Sequence, residues 1–130
     1  NPVAQRFTLA TPHEGKFNYV ISCVDSMDVR KELWAYYQDK CDWFIDGRMA
    51  LEVFRAYCID TKNQAHKDFY AESLLGEPVP DRCTAKTIMY TVQMVSGTML
   101  SFVKATLVGD RAPVEVCHSM RNFMSTSTYR

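Results

Sequence analysis

The stretch TKNQAHKDFYAESLL, residues 61–75, reads as a capped amphipathic helix. Thr61-x-x-Gln64 has the form of a capping box, with the hydroxyl accepting from a backbone N–H and the Gln side chain reaching back. Ala65, Phe69 and Leu74 fall on one side, as a core-facing stripe should. Gly76 fits the left-handed position after a helix, and Pro78 and Pro80 prevent continuation.

Downstream, residues 84–95 and 98–108 read as two strands joined at Ser96-Gly97, a two-residue hairpin turn. In that register Met94 faces Met99, Val92 faces Ser101, Tyr90 faces Val103 and Ile88 faces Ala105 on one apolar face. Gln93 with Leu100, Thr91 with Phe102 and Met89 with Lys104 make a mixed opposite face. The turn predicts a positive φ at Gly97. Gly109-Asp110 turns the chain again, and residues 113–120 read as a third strand with Val114, Val116, His118 and Met120 on one side. The tail STSTYR is polar and expected to fray.

Upstream, residues 1–15 lack periodicity and read as an extended arm. Residues 16–24, KFNYVISCV, place Phe17, Tyr19, Ile21 and Cys23 on one face, a strand pattern. Asp25 or Ser26 offers an N-cap, with Asp28 in the first turn. The helix it opens is expected to run from about Met27 to Ile45, with Leu33, Tyr37, Cys41 and Phe44 as its stripe, and Asp46-Gly47 as its breaker. Residues 48–59, RMALEVFRAYCI, fit both periods; the Met-Ala-Leu-Glu start favours helix to about Tyr57, while Tyr-Cys-Ile favours an extended end.

At 130 residues and 47% hydrophobic, the chain is expected to be one α+β domain with a single core. Fifteen basic and fifteen acidic residues give a formal net charge of zero, which removes the electrostatic case for nucleic acid and favours self-association. No apolar run approaches the ~20 residues of a membrane span. Cys23, Cys41, Cys58, Cys83 and Cys117 sit in apolar settings without zinc or disulfide-framework spacing. Reduced thiols in the cytoplasm are the expectation; one or two disulfides in a secreted protein are the alternative.

The words QAHKDFYAESLL at residues 64–75 resemble the third helix of ketosteroid isomerases, members of the nuclear-transport-factor-2-like superfamily of α+β cones. The SMR-x-F run from Ser119 to Phe123 is similar to the last strand of some members. The resemblance spans about half of the chain. It implies helices packed on the concave face of a curved antiparallel sheet, a cone or roll that holds small hydrophobic molecules. It makes Tyr37 the positional candidate for an oxyanion-stabilising tyrosine and Asp60 the candidate for a carboxylate base. Residues 16–24 have no obvious slot in that pattern.

His13 and His66 read as solvated surface residues. His118 shares a strand face with Val116 and Met120, and its ordinary pKa of about 6.5 suits acid/base work. Cys117-His118 is not a dyad, because adjacent strand residues point to opposite faces. The candidate catalytic set is therefore His118, Tyr37 and Asp60, with Tyr90, Val92, Val103, Val116 and Met120 as ligand-binding residues. No metal-ligand spacing and no cofactor motif is present. Two functions follow. One is binding, with or without cofactor-free isomerisation, dehydration or cyclisation, of a small hydrophobic molecule. The other is a non-catalytic protein-interaction or assembly subunit that uses the sheet face to pair with a partner, with a homo-oligomer such as a dimer through that face as the expectation.

Overall fold

The computed structural model describes residues 8, 15–76 and 89–130. Most of the expected arm, His13, Pro78, Pro80, Cys83 and residues 84–88 of the expected hairpin lie outside them. The described chain runs β1 (Phe17–Ser22), α1 (Met27–Tyr37), β2 (Cys41–Ala50), β3 (Val53–Asp60), α2 (Gln64–Ser73), α3 (Met89–Val108), β4 (Glu115–Ser119) and β5 (Met124–Thr128). The strands form one open sheet in the order β1-β2-β3-β4-β5. β1 and β2 are parallel, which requires a crossover, and α1 supplies it. Every later pair is antiparallel.

The α+β class with helices packed against a sheet is as read from the sequence. The layering adds that helices cover both faces. Along β3, Tyr57 and Ile59 join a core with Leu33, Trp34 and Tyr37 of α1 and Tyr70 of α2. Ala56 and Cys58, pointing the other way, join a core with Val95, Met99 and Phe102 of α3. Where they are buried on both faces, β2 and β3 carry short continuous apolar runs, Trp43–Ile45 and Ala56–Ile59, rather than alternation, as interior strands do.

This double burial explains two corrections. The helix expected to about Ile45 ends at Tyr37, where Gln38–Lys40 turn the chain and β2 begins at Cys41. Leu33, Tyr37, Cys41 and Phe44 do share one core, but two come from a helix and two from a strand. Likewise residues 48–57 form no helix. Leu51 and Glu52 turn β2 into β3, and Met49 pairs with Phe54. Asp46-Gly47 is no breaker but lies inside β2. A Cβ at Gly47 would come 2.5 Å from Met99 Sδ and 3.2 Å from Val95 Cγ2, so glycine is what lets α3 lie close to the sheet.

The largest correction is the hairpin. Residues 89–108 are one α-helix, with Thr91, Val95, Met99 and Phe102 buried at helical spacing. Ser96-Gly97 sits in mid-helix, and Gly97 has no positive φ. So Met94 does not face Met99, nor Tyr90 Val103. The stretch is apolar nearly all round and matches both periods; its unbroken length of 20 residues, not its alternation, was the informative property. The other elements are closer to expectation. β1 and β4 lie within the expected strands, while residues 125–128 of the tail belong to β5 rather than fraying.

In α2 the cap is Asn63, whose Oδ1 accepts from Ala65 N–H at 3.0 Å. Thr61 instead donates its hydroxyl to the Cys41 carbonyl and, at 3.2 Å, to that of Asp42. Gly76 is not in the left-handed region. Among the described residues, no helix is long and apolar enough to cross a membrane.

Candidate functional site

The structure does not bring the expected catalytic residues together. His118 stands on β4, its ring stacked on Phe54 at 5.5 Å, on the α3 side of the sheet. Tyr37 ends α1 and is buried in the core on the opposite side, edge-on to Phe17 at 5.8 Å. Asp60 closes β3, whose other end pairs with His118 through Phe54. Asp60 lies six residue steps along the strand from Phe54, about 20 Å at ~3.3 Å per residue. Asp60 serves its own turn: Oδ1 accepts from Lys62 N–H at 2.9 Å. Its backbone N–H donates to Nδ1 of His66 at 3.2 Å. His66 is thus buried, not solvated as its position suggested.

The expected ligand-binding residues also separate. Val103 and Val116 are half-buried against the α3-side core, whereas Val92 is exposed on the helix. Met120 lies in the β4–β5 turn, its N–H bonded to the Glu52 carbonyl at 2.7 Å. Tyr90, in the first turn of α3, donates its hydroxyl to Glu52 Oε1 at 2.7 Å. That hydrogen bond lifts the Tyr90 phenol above its ordinary value.

The densest polar constellation is one the sequence reading missed. Asp46, fully buried in β2, accepts from Arg30 Nε at 2.8 Å, Arg48 Nε at 2.7 Å and the Tyr70 hydroxyl at 3.0 Å. Arg30 continues to the Val24 and Gly47 carbonyls. Arg48 continues to the carbonyl and hydroxyl of Ser73, both at 3.0 Å, and its guanidinium lies 4.4 Å from the Tyr57 ring centroid. Burial, followed by the Asp46 carboxylate, pushes the Tyr70 phenol far up, so it stays a donor. The ionic groups use their bonding capacity on one another and on the backbone. The cluster ties α1, β2 and α2 into one body. The available signal was Asp46 itself, an acidic residue flanked by apolar residues, with arginines on either side in sequence.

Two surfaces remain. At one end of the sheet, the β2–β3 and β4–β5 turns enclose an open cleft of about 640 Å³, with Glu52, Arg121, Ser119 and Asn122 among its lining residues. Leu51 and Phe123, one in each turn, hold positive φ values of 53° and 55°. Bulky residues in that region carry backbone strain. Among the described residues, no group of three or more His, Cys, Asp or Glu could hold a metal ion.

The second surface is the outer side of α3. Its 20 residues contain a single charged side chain, Lys104. While Thr91, Val95, Met99 and Phe102 face the sheet, Met89, Leu100 and Leu107 point outward, the two leucines 66% and 68% exposed. Gln93, Ser96 and Lys104 alternate with them along the same stripe, Val92 and Val108 flank it, and Gly97 and Ser101 lie beside it. Nothing lies within 4 Å of a Cβ built on Gly97. A surface helix ordinarily carries several charged residues on its outer side, where this one has Lys104 alone.

No protein-family model matches the chain, and no curated protein matches it.

Proposed function

We propose that this chain is a non-catalytic interaction module whose docking surface is the outer face of α3. The observation that carries the reading is that face, with one charge in 20 residues and leucines two-thirds exposed among small and polar residues. Ordinary surface helices place charged residues there, and contiguous exposed apolar patches mark interaction sites. The occupant is a protein helix. Leu100, Leu107 and Met89 supply the ridge, the small exposed Ser96 and Gly97 leave room beside it for a partner's side chain, and Lys104 favours an acidic residue opposite. The small-molecule reading, with acid/base chemistry, draws no support from the separated positions of His118, Tyr37 and Asp60.

The test places a photo-crosslinking residue at position 100, and at Glu72 of α2 as control, in the chain expressed in its own cells. One discrete partner should be trapped from position 100 and not from 72. Reconstituted from purified components, that complex should be lost in Leu107→Glu, with the circular dichroism spectrum unchanged. Equal trapping at both positions, or a complex indifferent to Leu107→Glu, would refute the docking surface.

A further inference from the structure

We infer that two copies of this chain join edge to edge through β5, continuing the sheet across a two-fold axis. This does not depend on the α3 surface. β5 is the last strand of the sheet among the described residues, and Met124 to Ser127 are exposed. The helices pack on β1, β2 and β3, so β5 lies outboard of the helical layers. Its inner side pairs with β4 in unbroken register from Glu115↔Thr128 to Ser119↔Met124. Its outer side presents the remaining backbone donors and acceptors.

Free edges are normally guarded by charge, proline or a bulge. β5, Met-Ser-Thr-Ser-Thr, has none of these. The residue pattern selects a second copy as the occupant. In an antiparallel pair centred on Thr126, Met124 lies opposite Thr128, Ser125 opposite Ser127, and Thr126 opposite itself. Hydroxyl pairs of this kind stabilise directly opposed positions, and no like charges meet. Phe123, 84% exposed, and Tyr129, 52% exposed, flank the strand at either end and come together across the axis. The formal net charge of zero leaves little repulsion between copies. The interface is isologous and closes at two. β1, the opposite edge, is a poorer match: it runs parallel to β2, and Lys16 and Asp42 form an ion pair where it begins. A five-residue ribbon with its flanking aromatics buries less than the ~1,000 Å² of a permanent dimer, so the association should depend on concentration.

Sedimentation velocity on the full chain, from micromolar to sub-millimolar, should show a monomer–dimer equilibrium. Ser125→Lys with Ser127→Lys, which opposes lysines across the axis, should return it to monomer. Under mild oxidation, Thr126→Cys should give a disulfide-linked dimer well above the parent chain. Met124→Cys should not, because its own copy lies four residues away in register. Should the lysine variant lose its circular dichroism signal, the cysteine comparison decides alone. A monomer at every concentration overturns the proposal. So does a dimer that survives the lysines, or that links at 124 as readily as at 126, since either places the contact elsewhere, as on α3.

Discussion

Asp46 shows how one side chain can organise three elements. Its carboxylate is fully buried and meets two guanidiniums and a phenol. Such a cluster is no large net source of stability, because desolvating the ions offsets their attraction. Removing one member is a different matter, since the others are left buried and uncompensated. Asp46→Ala should destabilise the chain by about 3–5 kcal/mol. Tyr70→Phe, which removes one hydrogen bond to a charged acceptor, should cost roughly 1.5–3 kcal/mol. Denaturant unfolding of the two variants checks both the size and the order. An Asp46→Ala loss smaller than that of Tyr70→Phe would contradict this account of the cluster.

At the scale of elements, α3 carries an unforced glycine. Gly97 is helical, has no positive φ, and a methyl group there would meet nothing within 4 Å. Gly97→Ala should therefore stabilise the helix by about 1 kcal/mol and raise Tm, where a hairpin turn would have required the opposite. A thermal melt distinguishes the two. The same element shows what was legible in the sequence. Residues that bury together were found more readily than the elements that carry them. Leu33, Tyr37, Cys41 and Phe44 do form one group, across a helix–strand boundary. The start of α1 and the first strand were readable because Ser26 and the 16–24 pattern are local signals. β2, β3 and α3 were not, because burial on two faces, or apolar residues all round, erases the periodicity that separates helix from strand. The candidate site fared worse. His118, Tyr37 and Asp60 suit the chemistry by type and position in the chain, but nothing local in the sequence states on which face of a sheet each will lie. The outer face of α3 was hidden by the hairpin reading, which divided Leu100 and Leu107 between sheet faces instead of aligning them.

At the scale of the whole molecule, the two cores differ in composition but share one chemical property, buried thiols. Burial pushes Cys41 up to about 11 and Cys58 up to about 12, each from an ordinary value of 9.0. The folded state thus holds these protons more tightly than the unfolded chain. Their contribution is complete below about pH 9 and is lost progressively as pH rises from there towards the folded values. The denaturant midpoint should fall across that alkaline range, and Cys58→Ala should make the fall shallower. An unchanged slope in Cys58→Ala would remove this thiol from the explanation. At neutral pH, iodoacetamide should label Cys23, which is exposed, while Cys41 and Cys58 react only on unfolding.

The strand order of the sheet has a consequence for synthesis. Because the order in space is the order in sequence, a ribosome delivers each strand to the edge left by the one before. The exception is the gap between β3, ending at Asp60, and β4, beginning at Glu115. While those intervening residues are being translated, at roughly 5–20 residues per second, β3 is the growing edge. Its apolar residues Phe54, Ala56 and Cys58 face the core that α3 completes, so they become buried only once that later helix is in place. For those few seconds the nascent protein displays a strand with one edge unpaired and one apolar face uncovered, and that interval is when a chaperone would have most to do.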